Sequence, residues 1–219
     1  MNGLISTYSW EAYLFGHGYE AVAGVDEVGR GALAGPLMAG AVILPPVEDI
    51  WADVSFWSSV KDSKTISSKR RSVLAEGILA RARSWAIGSV SADELDAIGV
   101  AAANRTAMER AVCGLDVEAD YLLIDAATID TGLPQQGIID GDALSLSIAA
   151  ASIIAKVARD TIMIEMDRIW PVYGFARHKG YAAQSHRDAI SLHGPCPAHR
   201  FCYAPIRTAV AARSEANDA

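Results

Sequence analysis

Apolar residues fall along the chain in short blocks of two kinds. Continuous runs bounded by glycine or proline, Ala21 to Val25 and Leu37 to Leu44, have the length and composition of buried strands, and Pro45-Pro46 closes the second. A Gly-rich turn separates the two, which predicts a hairpin or adjacent strands. After a Ser- and Trp-containing loop, Ser67 to Arg83 places Val73, Leu74, Ile78 and Leu79 at helical spacing, with Lys69, Arg70 and Arg71 opposite. This predicts an amphipathic helix with a basic, solvated face. Trp85 to Val90 reads as a third strand, and Ser91 followed by Glu94 has the form of a capping box opening a helical stretch toward Gly114. Tyr121 to Asp125 and Gly137 to Ile139 read as two more strands. Leu144 to about Trp170 is helical, apolar all round in its first half and so buried there, and Pro171 follows its end. A last helix runs from Ala182 to His193. Five strands with interspersed helices predict an α/β fold with a mixed sheet.

With 219 residues, 51% of them apolar, the chain is long enough for one globular domain with its own core, expected over about 19–207, and the Ala-rich polar tail 208–219 is expected to be frayed. A net charge of −7 is the opposite of what a non-specific nucleic-acid coat or a polybasic membrane binder carries, so any polyanion must meet a local basic patch. Two segments offer one: 61–83, with seven Lys and Arg against two acids, and 174–219, with six against three. The three scattered cysteines, Cys113, Cys196 and Cys202, argue for a reducing compartment. The first twenty residues lack the form of a signal peptide and the most apolar stretch, 144–157, is too short to span a bilayer. A cytoplasmic monomer that does not engage membranes is expected.

The chemistry begins at Asp26-Glu27, two adjacent acids ending an apolar strand beside Gly24, Gly29 and Gly31. On its own this octet also fits a strand terminus whose acids cap a turn. Asp125 closes the run Tyr121-Leu122-Leu123-Ile124 in the same way, and Asp142 follows a third run after Gly141. Strands that each deliver a carboxylate near one end can bring their oxygens together on one sheet edge, where repulsion is severe without cations. Mg²⁺ or Mn²⁺ takes such oxygens, and a pair of these ions suits in-line attack on a phosphodiester. No zinc-protease pair, nucleophile elbow or phosphate loop competes.

These residues resemble the bacterial type 2 ribonucleases H (ribonuclease HII). The likeness runs from about Gly24 to Pro205 through Asp26-Glu27-Val28-Gly29-Arg30-Gly31, Asp62-Ser63-Lys64, Leu123-Ile124-Asp125, Gly141-Asp142, the stretch Ile148 to Val157, Tyr173-Gly174-Phe175, His178-Lys179-Gly180-Tyr181 and His199-Arg200. The resemblance implies an RNase H-like mixed sheet with flanking helices and a helical C-terminal part. It implies Asp26, Glu27, Asp125 and Asp142 as the catalytic and metal-binding acids, Mn²⁺ or Mg²⁺ as cofactor, and cleavage 5′ to a ribonucleotide, leaving a 3′-hydroxyl and a 5′-phosphate. The implied substrates are RNA/DNA hybrids and duplex DNA carrying even a single ribonucleotide, with a role in ribonucleotide removal.

Telling RNA from DNA requires contact with the 2′-hydroxyl, and Gly29-Arg30-Gly31 permits close backbone approach. The same tripeptide also fits a plain tight turn. By resemblance the loop reads the ribose, Tyr181 stacks on the next sugar, and Lys64, with Arg30, contacts phosphate; Lys69-Arg70-Arg71 reads as a solvated helix face. Phosphate contacts carry no sequence information, so little base preference is expected.

The chain departs from the family pattern at Ala126, where glycine is usual, and at Asp140, where lysine is usual before Gly-Asp. A methyl at Ala126 is expected to narrow the approach to the cleft, and Asp140 leaves two acids competing for the fourth position, of which Gly141-Asp142 preserves the motif. Ala182-Ala183 and Cys202-Tyr203 also differ. These departures keep alive an alternative, a catalytically impaired duplex-binding protein of the same fold. The spacing of His193, Cys196, His199 and Cys202 admits a zinc cluster, against which Pro195 and Pro197 suggest an ordered turn without metal. Cys113, near a helix end, is expected in the core.

Overall fold

The computed structural model describes residues 8–61, 63 and 66–217. In chain order these form α1 (Ser9–Gly16), β1 (Val22–Val28), β2 (Leu37–Ile43), α2 (Val47–Ala52), α3 (Val54–Trp57), α4 (Ser68–Arg81), β3 (Ser84–Val90), α5 (Ala92–Ile98), α6 (Val100–Cys113), β4 (Tyr121–Asp125), β5 (Gln135–Ile138), α7 (Gly141–Leu144), α8 (Leu146–Ile169), a 3₁₀ turn (Pro171–Tyr173), α9 (Phe175–His178), α10 (Gln184–His193) and α11 (Ala204–Asn217). The sheet is mixed, in the order β3-β2-β1-β4-β5. β1 pairs antiparallel with β2 and parallel with β4, and β4 pairs parallel with β5.

All five expected strands are present, the last beginning two residues earlier than the apolar run suggested. The Ser67 and Ser91 side chains accept the Arg70 and Glu94 backbone N–H groups and start α4 and α5. Three expectations need correction. The helical stretch toward Gly114 is broken at Gly99, whose φ of +81° no helix accommodates. The loop before α4 contains α2 and α3, and it buries Ile50 and Trp57. The helix expected to be the last, Ala182 to His193, is followed by α11, which runs to Asn217 and buries Ile206 fully near its start.

Contacts divide the chain into two compact units, one comprising residues up to Val28, Met38–Ser89 and Arg105–Val157, the other Gly29–Leu37, Val90–Asn104 and the chain from Ala158. In the first, the early half of α8 (Leu146, Ala149, Ala150, Ile153, Ile154) packs with Val42, Trp57, Leu74 and Ile78, which is why that stretch carries no polar face. In the second, Leu33, Met163, Tyr173, Phe175, Ile190 and Ile206 form a separate core. Among the described residues no helix is long and apolar enough to cross a membrane.

Candidate active site

Parallel pairing brings the acids together. Val25 is in register with Ile124, so the next residues, Asp26 and Asp125, fall side by side on one face at the same end of their strands. One oxygen from each of Asp26, Glu27 and Asp125 lies within 4.8 Å of the others. β5 then leads through Ile139-Asp140 into α7, which carries the buried Asp142. The Gly141 N–H donates to Asp125 Oδ1 at 2.8 Å, tying α7 to the end of β4.

Burial is the largest influence on Asp26 and drives its carboxyl well above the usual range; a Ser152 hydrogen bond opposes this, and the charges of Asp125, Glu27 and Asp142 reinforce it. Of the two acids the spacing left open, Asp142 is the buried one whose charge reaches Asp26, whereas Asp140 is exposed and makes no side-chain cap bond at the start of α7. Two of the positions that depart from the family pattern hold a left-handed backbone, Ala126 at φ +47° and Asp140 at φ +54°. An all-oxygen, mutually repelling donor set of this kind fits a hard divalent cation.

Sequence reasoning missed the groups that hold this cluster. Ser152, the hydrogen-bond partner of Asp26, has its Oγ 3.0 Å from Ser63 Oγ, so the two hydroxyls form a chain leading to the carboxyl. Ser63 is fixed in turn by Arg71, whose Nε donates to its carbonyl at 2.9 Å and whose Nη2 donates to the Ile66 carbonyl at 2.9 Å. Arg71 is therefore a loop anchor as well as part of a basic run. Glu11 is fully buried, and its Oε1 accepts from Ser145 Oγ at 2.6 Å, Ser147 Oγ at 2.7 Å and Ser147 N–H at 2.9 Å, across the break between α7 and α8. Burial raises its carboxyl above the ordinary value. A lone Glu beside Trp10 carries no pattern that would have marked it.

In the second unit, two buried arginines hold the loop that begins at Gly29. Arg159 donates to the carbonyls of Pro36 at 2.9 Å, Ala34 at 3.1 Å and Lys179 at 2.9 Å. Arg200 donates to those of Gly29 at 2.7 Å, Arg30 at 3.1 Å and Gly35 at 3.0 Å. Gly29 has φ +86°, and a Cβ there would lie 2.1 Å from Arg159 Nε, so glycine is required, whereas Gly31 faces open space. Arg30 is exposed, and the half-exposed Tyr181 ring lies 5.3 Å from the Arg159 guanidinium carbon. Lys64 lies outside the described residues.

The spacing-based zinc cluster does not assemble among the described residues. Cys196 and His199 are neighbours, but the Cys202 backbone N–H donates to Asp96 and His193 sits beside the Tyr173 ring. Cys113, expected in the core, is exposed.

Residues 23–205 match the Ribonuclease HII family. The chain is 44% identical over 200 residues to the Ribonuclease HII of Dehalococcoides mccartyi, covering 90% of this chain and 92% of that one. It is 46% identical over 207 residues to that of Roseiflexus castenholzii, covering 94% and 92%. Among solved structures it is similar to the ribonuclease H2 of Pyrococcus horikoshii (TM-score 0.76, 22% identity, 90% of this chain and 100% of that one) and to Bst-RNase HIII in complex with Mn²⁺ (TM-score 0.64, 18% identity, 90% and 71%). These last two likenesses bear on the fold, which is RNase H-like, while the family match and the relatives' identity bear on the chemistry. The chain belongs to the ribonuclease HII family, the type 2 ribonuclease H endonucleases.

Proposed function

We propose that this ribonuclease cuts the phosphodiester 5′ to a ribonucleotide in RNA/DNA hybrids and at single ribonucleotides embedded in duplex DNA, leaving 3′-hydroxyl and 5′-phosphate ends. It acts as a cytoplasmic monomer in ribonucleotide removal. The observation that carries the reading is the convergence of Asp26, Glu27 and Asp125 within 4.8 Å on neighbouring parallel strands, with buried Asp142 acting on the same carboxyl.

Asp26, Glu27, Asp125 and Asp142 would hold Mn²⁺ or Mg²⁺, which when bound supplies an activated water and stabilisation of the leaving oxygen. The protein's part is to keep the acids in place before the cation arrives. Ser152 orients Asp26, and Gly141 occupies Asp125 Oδ1. In the second unit, Gly29-Arg30-Gly31 is proposed to read the 2′-hydroxyl, Tyr181 to stack on the adjoining sugar, and Arg30 with Lys64 to contact phosphate. The two buried guanidiniums that hold the Gly29 loop spend their hydrogen bonds on carbonyl and hydroxyl oxygens, which leaves positive charge beneath a loop suited to a polyanion.

The test is to incubate a duplex carrying one ribonucleotide with Mn²⁺ or Mg²⁺ and map the product ends. Cleavage on the 5′ side, lost in Asp26→Asn and Asp125→Asn, supports the proposal. Binding without a cut, unchanged by Asp26→Asn, would instead indicate an impaired duplex binder.

A further inference from the structure

The turn that presents Tyr181 is strained. Lys179 (φ +52°) and Gly180 (φ +79°) are consecutive left-handed residues, and a Cβ on Gly180 would lie 2.4 Å from the Ala34 carbonyl oxygen. Such a turn persists only where its surroundings over-determine it. Here they include three histidines that the proposed cleavage chemistry does not use.

Their hydrogen bonds, with neutral rings at His186 and His199, order the protons. The Tyr181 carbonyl can only accept, so His186 Nδ1, 2.9 Å away, carries a hydrogen. Burial lowers His186 and His199 to about 4, with repulsion from a neighbouring histidine adding to it, so both rings are neutral at physiological pH. His186 Nε2 is therefore bare, and His199 Nε2, 3.1 Å away, must be the donor. With its hydrogen on Nε2, neutral His199 has a bare Nδ1, which accepts the Cys196 N–H at 3.0 Å and lies beside Cys196 Sγ at 3.3 Å, while the Cys196 carbonyl oxygen 3.2 Å away is a contact without a hydrogen. On the other face of His186 the His178 ring stacks at 4.3 Å; its Nε2 donates to the Tyr173 carbonyl at 2.8 Å, so its Nδ1 can accept the Gly180 N–H at 3.3 Å. The relay runs in one direction, from Cys196 through His199 and His186 to the Tyr181 carbonyl. The next residue, Arg200, holds Gly29 and Arg30, so the His199-Arg200 dipeptide supports both elements assigned above to sugar recognition.

We propose that His186 and His199 are positioning residues that lock the Lys179-Gly180 turn through a directional imidazole relay, so that the Tyr181 ring is held for stacking on the sugar beside the ribonucleotide. This rests on the reading of Tyr181 given above. The relay is neither a metal site nor part of the cleavage chemistry.

The experiment compares kcat/KM on a duplex with one embedded ribonucleotide against a duplex with one all-RNA strand, for the intact enzyme and for His186→Phe, His186→Asn, Tyr181→Ala and the Tyr181→Ala/His186→Phe double variant. Phe keeps the bulk and removes both bonds, whereas the Asn amide can replace the Nδ1 donor. The single-ribonucleotide preference is expected to fall about tenfold in His186→Phe, as misplacement of a binding group does. It should be largely restored in His186→Asn, and the double variant should be no worse than Tyr181→Ala alone. In ¹⁵N spectra of the wild type, a scalar coupling across the His199 Nε2–H···Nε2 His186 bond is expected. An unchanged preference in folded His186→Phe, with Tyr181→Ala impaired, overturns the relay and leaves the Tyr181 reading standing. An unchanged preference in Tyr181→Ala overturns that reading and the relay's purpose with it. Should His186→Phe not fold, His186→Asn and the wild-type spectra decide, and absence of the coupling rejects the relay.

Discussion

Gly24 in β1 meets the backbone of Ser147 at the start of α8 so closely that a Cβ on Gly24 would lie 2.1 Å from the Ser147 carbonyl carbon. Backbone against backbone leaves nothing flexible to move aside. Gly24→Ala must therefore push β1 away from α8, two residues before Asp26. It is expected to cost about 3 kcal/mol in urea unfolding, at the upper end for overpacking, and to reduce cleavage in whatever fraction remains folded. A stability within about 0.5 kcal/mol of wild type, the scatter of neutral substitutions, would show that the two elements yield more easily than this contact implies.

Asp26 combines burial with three neighbouring acids, an arrangement that favours function over stability. Asp26→Asn keeps the shape and removes the crowded charge. The metal-free variant is expected to be more stable than the wild type by about 1 kcal/mol and to cut nothing. Added Mn²⁺ should raise the wild-type Tm, because a cation bound only by the folded state stabilises it, and should leave the variant's Tm nearly unmoved. Paired Tm measurements with and without metal check both halves.

Asp26 and Asp125 were marked in the sequence because each follows an apolar run, whereas Asp142, which follows Asp140-Gly141 and lies in α7, was singled out from Asp140 only by the Gly-Asp motif. The supports were not legible. Glu11 reaches Ser147 across 136 positions and Arg200 reaches Gly29 across 171, and one-dimensional patterns carry no trace of such pairings. Cysteine and histidine spacing pointed to His193 and Cys202, yet the network uses His186 and His178, set by how α9 and α10 pack. The motif departures were legible as substitutions, but only the backbone shows that Ala126 occupies a left-handed conformation.

That conformation gives a further expectation. A Cβ in the left-handed region costs about 1–2 kcal/mol, partly offset by the greater unfolded-state freedom of glycine. Ala126→Gly should therefore stabilise the protein by about 0.5–1 kcal/mol while preserving cleavage, read from thermal unfolding and the single-ribonucleotide assay. A loss of stability would mean the φ of +47° is not strained in its setting.

Glu11 satisfies both hydroxyls and one backbone donor at the junction between α7, which holds Asp142, and α8. Glu11→Ala leaves these groups buried without their acceptor and should cost about 2–3 kcal/mol. It should also weaken metal-induced stabilisation, because α7 loses its anchor. Glu11→Gln retains one oxygen and should recover much of both. Equal behaviour of the two variants would limit Glu11 to filling space.

The histidine relay makes stability depend on pH in a defined direction. His186 and His199 titrate at about 4 when folded, because burial penalises their charged forms, against about 6.5 in an unfolded chain. Between those values the unfolded chain binds protons that the folded one does not. The stability linked to these rings is thus fully present above about pH 6.5 and is lost as pH falls toward 4. Glu11 and Asp26, whose carboxyls are raised by burial, act in the opposite sense, so the informative quantity is a difference between proteins rather than one curve. Replacing His186 with Phe removes one of the two protons. The Tm gap between wild type and His186→Phe should accordingly be widest near neutral pH and narrow as the solution is acidified, and parallel curves across that window would contradict the assignment of neutral, buried rings.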